Sequence, residues 1–268
     1  MRRRDRHSLW LWPDEPPCSS PDDSFRPWLE LYLLAGEVPR GAVLICPGGG
    51  YANRAPHEGA PVARRFNEAG FHAFVVQYRV APHRHPAPLL DAARAMRIIR
   101  HYAQEWRVDS GRVAVCGFSA GGHLAASLGV HFDHVPPTGD PLDRTPCRPD
   151  ALILCYPVIT AGRFIHRGSF DNLLGANAPE AARQKMSLEL QVGAYTPPAF
   201  LWHTAQDAGV PVENSLLFAQ ALRKYGTLFE LHIYPRGAHG LGLAPDDPHV
   251  ATWMALCCEW LHREFGRA

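Results

Sequence analysis

The residues of this sequence best suited to chemistry are a serine set between glycines and two polar residues far downstream of it. Gly117-Phe-Ser-Ala-Gly121 is a G-x-S-x-G pattern, preceded by a short apolar run and followed by a segment rich in Ala and Leu. In a strand–turn–helix context, the small residues permit a sharp turn that points the serine hydroxyl into a cleft. The pattern favours Ser119 as a nucleophile over a tight turn that has no chemical role.

A serine hydroxyl is a weak nucleophile at neutral pH, so it needs a base, and the base needs an orienting partner. Asp207 comes just after the apolar run 199–204, and His239 just after the run 228–234. The order serine, acid, histidine is typical of parallel-sheet enzymes whose nucleophile lies on a strand-to-helix turn. Taken singly, Asp207 is equally explained as a helix cap, and His239 is one of 15 histidines. Together the three residues predict an acyl-transfer site at one edge of a sheet.

Three consecutive glycines follow another apolar run, in Pro47-Gly-Gly-Gly-Tyr51 after residues 42–46. Because such a loop lacks side chains, its backbone N–H groups can face a ligand and stabilise the oxyanion of an acyl-transfer transition state. The N–H of Ala120, at the start of the helix after Ser119, offers a further donor. No Gly-Lys-Ser/Thr follows the glycines and the G-x-G-x-x-G spacing is absent, so phosphate and dinucleotide loops are excluded.

The candidate site residues must be positioned by strands, and the rest of the sequence alternates between predicted apolar strands and helices. The strands are continuous apolar runs, which are typical of strands buried on both faces. This pattern predicts an α/β fold, with a mostly parallel central sheet and helices on both of its faces. The predicted strands are 29–34, 42–46, 71–78, 112–116, 151–155, 199–203 and 228–234, and the predicted helices are 58–69, 88–106, 120–130, 179–186, 212–225 and 248–265.

The division of the chain follows from its length and from two irregular stretches. A length of 268 residues suits one α/β domain with insertions as well as two domains. Residues 1–27 are polar and rich in proline, which predicts an N-terminal surface arm, and 28–268 are predicted to form a single domain. Residues 157–198 interrupt the alternation, and we expect this cap-like insertion to lie over the carboxyl ends of the strands, where ligands bind.

Composition argues against several classes of function. Lys and Arg number 27 and Asp and Glu 26, so the formal charge is +1, which argues against nucleic-acid binding. No apolar run approaches the ~20 residues that span a bilayer, so no membrane partner is expected. Leu9–Trp12 is too short for the apolar region of an export signal. Seven cysteines form no C-x-x-C pair, which fits a reducing, cytoplasmic location.

Several motifs spread over residues 40–265 are shared with a known family: Pro47-Gly-Gly-Gly-Tyr51, Tyr78-Arg-Val-Ala-Pro82, Gly117-Phe-Ser-Ala-Gly-Gly-His123 and Gly237-Ala-His-Gly240. With these motifs the chain resembles carboxylesterases of the α/β-hydrolase fold. More narrowly, it resembles bacterial acetylxylan and feruloyl esterases and esterases related to hormone-sensitive lipase. One position departs from the lipase-like group, which carries His-Gly-Gly-Gly where this chain has Pro47. The chain is therefore not expected to be a close relative of those lipases.

The resemblance assigns roles to the residues that match the family motifs. It implies Ser119 as the nucleophile, His239 as general base and then acid, and Asp207 as the orienting carboxylate. It also implies an oxyanion hole whose donors are the backbone N–H groups of Gly49, Gly50 and Ala120.

The expected activity is that of a serine carboxylesterase or acetylesterase, acting through an acyl-enzyme on short-acyl esters, with acetylated sugars among the candidates. The chain shows no long apolar lid, which favours small acyl groups. The alternatives left open are a peptidase of the prolyl-oligopeptidase type, an acyltransferase and a non-catalytic binding protein of the same fold. The residues predicted to line the substrate pocket are Tyr51, Arg54, His57 and His166.

The expected partner is a small-molecule ester, such as an acylated carbohydrate, and homo-oligomerisation is left open. No cofactor or metal is expected, because the reaction needs none. The pairs His83/His85 and His131/His134 resemble metal-ligand spacings but lack a matched set of acids or cysteines. We expect the first pair to lie in a solvated loop.

Overall fold

Nine strands build the central sheet of the computed structural model, counted over the residues that it describes, 3–19 and 23–266. They are β1 (Arg3–Asp5), β2 (Ser8–Trp10), β3 (Trp28–Tyr32), β4 (Arg40–Cys46), β5 (His72–Gln77), β6 (Val108–Phe118), β7 (Ala151–Cys155), β8 (Ala199–Thr204) and β9 (Phe229–Tyr234). Their order across the sheet is β1-β2-β3-β5-β4-β6-β7-β8-β9. All pairings among β4 to β9 are parallel, whereas β1, β2 and β3 add antiparallel strands at one edge. The predicted, mostly parallel sheet is confirmed.

Eight α-helices connect these strands within the described residues. They are α1 (Ala60–Glu68), α2 (Ala87–His101), α3 (Ala103–Trp106), α4 (Ala120–His131), α5 (Arg167–Leu174), α6 (Glu180–Lys185), α7 (Glu213–Lys224) and α8 (Thr252–Gly266). The helix predicted over 88–106 is divided at Tyr102 into α2 and α3, and α5 was not predicted. In the part of the chain that the structure describes, no helix is long and apolar enough to cross a membrane.

Helices cover both faces of the sheet, and each face has its own core. Along β4, Ala42, Leu44 and Cys46 belong to one buried cluster, while Val43 and Ile45 belong to the other. Successive side chains of a strand point to opposite faces, so a continuous apolar run fills both cores. The first core packs against α2, α4 and α7, and the second packs against α1 and α8.

The N-terminal segment differs from the predicted surface arm. Leu9 of β2 pairs with Leu29 of β3, so this segment extends the sheet. Leu11 is fully buried and Trp12 almost so, because the apolar run that is too short for export fills the core instead. All three residues of β1 are exposed. The parts of the predicted arm at 1–2 and 20–22 lie outside the described residues.

A buried ion pair ties this segment to the domain. The side chains of Arg79 and Asp91 are fully buried, with Nη2 2.8 Å from Oδ1. The indole Nε1–H of Trp12 donates to the same carboxylate at 2.8 Å. Removing one partner of such a pair leaves an uncompensated buried charge, which typically costs about 3–5 kcal/mol.

The insertion 157–198 contains α5, α6 and a short 3₁₀ turn, Leu188–Leu190. Its first helix contacts the glycine loop, because Asn172 Nδ2 donates to the carbonyl of Gly50 at 2.8 Å. This contact brings the insertion to the carboxyl side of β4, where that loop begins.

Candidate active site

Ser119 lies in the turn between β6 and α4, in a backbone conformation that residues with side chains rarely adopt. Its φ is +53° and its ψ is −119°. A Cβ on Gly117 would lie 2.1 Å from the carbonyl oxygen of Gly121, and a Cβ on Gly121 would lie 2.1 Å from that of Cys46. Glycine is therefore required on both sides of the serine, because the turn passes directly against neighbouring backbone. This geometry is the sharp strand-to-helix turn that the G-x-S-x-G pattern predicts.

A chain of hydrogen bonds joins the three residues at the ends of β6, β8 and β9. His239 Nε2 lies 2.7 Å from Ser119 Oγ, and His239 Nδ1 lies 2.6 Å from Asp207 Oδ2. A carboxylate only accepts hydrogen bonds, so Nδ1 carries the proton and Nε2 is free to accept one from the serine hydroxyl. The structure thus brings together Ser119, His239 and Asp207 in the geometry of a nucleophile, its base and an orienting acid.

Asp207 is kept ionised by its surroundings. Burial by itself raises the pKa of this carboxyl group, but hydrogen bonds from His203, His239 and the Val210 N–H outweigh it and lower the pKa below its ordinary value. The Gly209 N–H also donates to Oδ1, at 2.9 Å. Asp207 therefore remains a negatively charged acceptor for the Nδ1–H of His239 at neutral pH.

His203, near the end of β8, is a supporting residue that the sequence analysis missed. It is fully buried, and its Nε2 lies 3.2 Å from Asp207 Oδ2 and 2.9 Å from the Val210 carbonyl. Its Nδ1 lies 2.8 Å from Ser215 Oγ. A carbonyl cannot donate, so Nε2 carries the proton and Nδ1 accepts from the serine hydroxyl. The histidine four residues before Asp207 is a signal that a search for partners of the acid would have found.

The backbone N–H groups of the glycine loop after β4 differ in whether they have a hydrogen-bond partner. The Gly48 N–H donates to Glu58 Oε2 at 2.7 Å, so it is not available to an oxyanion. Gly48 nevertheless lies against Ser119, because a Cβ on it would be 3.0 Å from Ser119 Cβ. Within the described residues, the N–H groups of Gly49, Gly50 and Ala120 have no hydrogen-bond partner.

His123 is a second residue that the sequence analysis quoted without giving it a role. It is buried on α4, and its Nδ1 lies 2.9 Å from the hydroxyl of Tyr51. Its Nε2 donates to the Met186 carbonyl at 2.9 Å. Burial lowers the pKa of His123 to about 4, so the ring is neutral at physiological pH. His123 therefore links the glycine loop, the nucleophile's helix and the insertion through uncharged hydrogen bonds.

The four predicted substrate-pocket residues occupy different positions. Tyr51 is buried and its hydroxyl faces His123, so it supports the loop. Arg54 donates to the Tyr78 carbonyl at 2.9 Å and borders a surface cleft that none of the three hydrogen-bonded site residues lines.

The other two predicted pocket residues come close to His239 or to the residue after it. His57 is exposed, and its Nε2 donates to the carbonyl of Gly240, next to His239, at 2.9 Å. His166 is half-buried before α5, and its Nδ1 accepts from the Ser169 hydroxyl at 2.8 Å. Burial and the neighbouring His239 lower the pKa of His166.

The remaining histidine pairs do not assemble a metal site. His83 is largely buried, and its Nε2 is paired with Asp23, which differs from the predicted solvated loop because the carboxylate covers the ring. Burial lowers the pKa of His85 to about 4. Among residues 3–19 and 23–266, no group of three or more His, Cys, Asp or Glu side chains is placed to hold a metal ion.

Comparison with known proteins places the chain in a family. The BD-FAE family model matches residues 29–222, well over half of the sequence. The chain belongs to the BD-FAE family. This member has the α/β-hydrolase fold, and the expected resemblance to carboxylesterases related to acetylxylan esterases is confirmed.

Two curated relatives of this BD-FAE chain are bacterial. It is 44% identical over 227 residues to endo-1,4-beta-xylanase B of Butyrivibrio fibrisolvens, covering 83% of this chain and 36% of the relative. It is 34% identical over 220 residues to an acetylxylan esterase of Xylanibacter ruminicola, covering 80% of this chain and 44% of the relative. The chain therefore spans less than half the length of either protein.

A solved structure matches the chain from end to end. The acetyl ester-xyloside bifunctional hydrolase of Caldicellulosiruptor lactoaceticus is 46% identical and superposes with a TM-score of 0.93, covering 99% of this chain and 97% of that one. The similarity includes the N-terminal strands as well as the region that the family model matches.

Proposed function

We propose that this protein is a serine carboxylic-ester hydrolase in which Ser119 is the nucleophile, His239 the general base and acid, and Asp207 the orienting carboxylate. The hydrogen-bonded chain Asp207–His239–Ser119, with separations of 2.6 and 2.7 Å, is the observation that carries this proposal. A non-catalytic protein would have no need to keep a strained serine in contact with an oriented base.

The reaction proceeds in two steps. Ser119 Oγ attacks the ester carbonyl carbon while its proton passes to His239 Nε2, and the carbonyl π electrons move onto the oxygen. The tetrahedral intermediate collapses, His239 protonates the departing alcohol, and an acyl-enzyme remains. Water, deprotonated by His239, then attacks the acyl carbon and releases the acid and Ser119. Asp207 stabilises the imidazolium in both steps.

The oxyanion hole is formed by the N–H groups of Gly49, Gly50 and Ala120. Their lack of partners within the described residues supports this role, since it leaves these N–H groups free to donate to a substrate oxygen. Each such donor is worth roughly 2.7–4 kcal/mol of transition-state stabilisation in other acyl-transfer enzymes. Gly48 is not among them, because Glu58 takes its N–H.

The substrates are short-acyl esters of sugars, above all acetyl esters. The names of the acetylxylan esterase and of the acetyl ester-xyloside hydrolase, to which the chain is similar, support this choice. The insertion 157–198 offers only helices of eight and six residues, which are too short for an apolar lipase-type lid. His57 contacts the carbonyl of Gly240, next to His239, and His239 lowers the pKa of His166, which supports placing both residues near the substrate. The Nε2–H of His166 would offer a donor to a sugar hydroxyl.

A cytoplasmic location and a single catalytic domain capped by residues 157–198 belong to the same proposal. All seven cysteines are free thiols in the structure, and five of them are buried. Thiols of this kind are common in reducing compartments.

The test is hydrolysis of p-nitrophenyl acetate and release of acetate from acetylated xylo-oligosaccharides, with labelling by a fluorophosphonate. The Ser119→Ala variant is expected to lose about 10⁴- to 10⁶-fold in kcat, together with all labelling. Ser127→Ala is the matched control, because Ser127 is buried on α4, the helix that follows Ser119, and its Oγ has no hydrogen-bond partner in the described residues.

Added alcohol separates hydrolysis from acyl transfer. A hydrolase releases acetate as its main product, whereas an acyltransferase converts the added alcohol into a new acetyl ester. A wild-type protein that neither turns over nor labels would rule out the proposal.

A further inference from the structure

Glu58 is a buried carboxylate that the reaction itself does not use. It ends the 3₁₀ turn Pro56–Glu58, ten residues beyond Gly48, and only 2% of its surface is exposed. Burying an ionisable carboxyl group is costly unless hydrogen bonds replace its water. The partners of Glu58 therefore indicate what the carboxylate is placed to do.

Each oxygen of Glu58 holds a different part of the site. Oε2 accepts the N–H of Gly48 at 2.7 Å, and Oε1 accepts the hydroxyl of Tyr156 at 2.7 Å. The first bond fixes the start of the glycine loop and turns the Gly48 N–H away from any oxyanion. The next two N–H groups, of Gly49 and Gly50, are the ones left for the substrate.

Tyr156 carries the connection to the base. Its hydroxyl accepts the N–H of Gly242, three residues after His239, at 2.7 Å. Its ring packs edge-to-face against the His239 ring, with 5.1 Å between centroids. Its own N–H donates to the carbonyl of Trp202 at 2.7 Å, and its φ is +36°. The side chain is therefore held firmly at the end of β7 and contacts both His239 and the loop that follows it.

The same turn contacts the His239 loop a second time. His57 Nε2 donates to the Gly240 carbonyl at 2.9 Å, and a Cβ on Gly242 would lie 2.9 Å from His57 Cδ2. The residues 56–58 thus touch the glycine loop on one side and the residues after His239 on the other. The loop that holds the oxyanion donors and the loop that holds the base have a shared support.

We propose that Glu58 and Tyr156 are positioning residues that fix the oxyanion loop relative to His239. This inference rests on the proposed function, because it concerns the relative placement of that function's two catalytic elements. Neither residue touches substrate. Their effect is to hold the N–H groups of Gly49 and Gly50 and the imidazole in register before the transition state forms.

The test uses Glu58→Gln, Tyr156→Phe and the double variant in the full-length protein. The amide introduced by Glu58→Gln cannot accept from both Gly48 and Tyr156, because its nitrogen only donates. Tyr156→Phe keeps the ring against His239 and removes the hydroxyl. For each single variant we expect kcat for p-nitrophenyl acetate, per fluorophosphonate-titrated site, to fall about 10- to 100-fold, while KM changes less than about threefold.

Two further measurements separate positioning from folding. Inhibition by benzeneboronic acid, which forms a tetrahedral adduct on the serine, should weaken in parallel with kcat. Because the two residues act through one chain, kcat of the double variant should lie within about twofold of that of the slower single variant. Tyr234→Phe is the matched control, since it removes a buried hydroxyl that bonds to Thr252 outside this network. Its kcat should stay within about twofold of the wild type.

The outcomes are distinguishable. Wild-type protein without turnover would remove the proposed function and this positioning role together. An active wild type whose single variants keep full kcat per titrated site, or whose double variant multiplies the two losses, would overturn the positioning role alone. Should Glu58→Gln fail to fold, Tyr156→Phe, which preserves the ring packing, decides the question.

Discussion

The two halves of the candidate site are built in different ways. Ser119, Asp207 and His239 follow parallel strands within five residues of each strand's end, so the backbone ladder of the sheet sets their separation. The insertion 157–198 reaches the same site through short helices, and side-chain hydrogen bonds such as Asn172 to the Gly50 carbonyl hold it there. Backbone pairing specifies atomic positions over long stretches of chain, whereas a few side-chain contacts leave a segment free to vary.

This difference indicates which half of the site should determine the rate of the chemical step and which should determine substrate preference. The strand-end residues are coupled by hydrogen bonds of 2.6 and 2.7 Å, and we propose that they carry out the chemical step. The insertion supplies His166, whose pKa His239 lowers, and Phe170, whose ring packs edge-to-face against His123. Changes at strand ends should therefore lower kcat, and changes in the insertion should alter KM and substrate preference.

After Ser119→Ala, the largest expected effect at a strand end comes from Asp207→Asn. The new amide nitrogen would face the Nε2–H of His203 and force His239 to accept at Nδ1, so that Nε2 becomes protonated and can no longer take the serine proton. We expect kcat to fall by about 10⁴-fold, as removal of the orienting carboxylate does in other serine enzymes. Steady-state kinetics checks this, with exposed Asp246→Asn as control. A loss of kcat smaller than about tenfold would show that Asp207 does not orient the base.

His203→Gln tests the buried histidine that supports Asp207. The Nε2–H of the histidine lies 2.9 Å from the Val210 carbonyl and 3.2 Å from an ionised oxygen of Asp207. A hydrogen bond to a charged group is worth about 1.5–3 kcal/mol. We expect most of this free energy to be lost in the transition state. The kcat should therefore fall about 10- to 100-fold at pH 7, while KM is nearly unchanged. His232→Gln on the neighbouring strand β9 is the control and should retain activity. A rise in KM without a fall in kcat would contradict the comparison between the two halves.

His166→Ala tests the insertion in the same terms. Its Nδ1 is occupied by Ser169, and within the described residues its Nε2 has no partner, so the ring offers one donor to substrate. Loss of a neutral hydrogen bond of about 0.5–1.5 kcal/mol predicts a rise of about 3- to 10-fold in KM for acetylated xylo-oligosaccharides. The KM for p-nitrophenyl acetate should barely change. Arg167→Ala, at the adjacent exposed position, is the control. Equal effects on both substrates would place His166 outside the sugar-binding side.

His123→Gln should have the smallest effect on rate, a few-fold at most, because the ring contacts no reacting atom. Its main effect is on stability. The folded protein keeps His123 neutral down to a pKa of about 4, whereas an unfolded histidine titrates near its ordinary 6.5. The unfolded state therefore binds more protons between these values, and the free energy of unfolding falls as the pH is lowered through this window.

Denaturant titrations between pH 4 and 7 measure that dependence. The variant should lose about 1–3 kcal/mol at pH 7, since the Tyr51 hydroxyl and the Met186 carbonyl lose well-placed partners. It should also show a shallower decline towards pH 4, because one of the groups that resists protonation has gone. An unchanged slope would mean that His123 is charged or solvated in the folded state.

Much of the fold and of the strand-end half of the site was predictable from the sequence. Continuous apolar runs mark buried parallel strands, and polar residues just beyond Phe118, Thr204 and Tyr234 meet at one sheet edge for topological reasons. The α/β-hydrolase fold and the resemblance to carboxylesterases followed from these signals. The catalytic roles of the three residues remain predictions that the kinetics above decide.

The rest could not be predicted, for physical reasons. The helix α5 contains Gly168 and has no sustained apolar period, and its contacts with the glycine loop depend on tertiary packing. Strands β1 and β2 have three residues each, too few to show alternation among charged neighbours. The partners of Glu58 lie 10 and 98 residues away along the chain, so no local sequence pattern predicts these hydrogen bonds.

The buried pair Arg79–Asp91 also bears on how this protein can be shortened or fused. The family match begins at residue 29, yet the indole of Trp12 completes the hydrogen bonds of Asp91, and the Leu11 carbonyl accepts from Arg94 Nε at 2.9 Å. A version cut back to residue 29, where the family match begins, would open the ion pair to water and remove Leu11 from the core. Engineering boundaries should therefore be drawn ahead of β2, whose similarity to the solved structure the family match does not include.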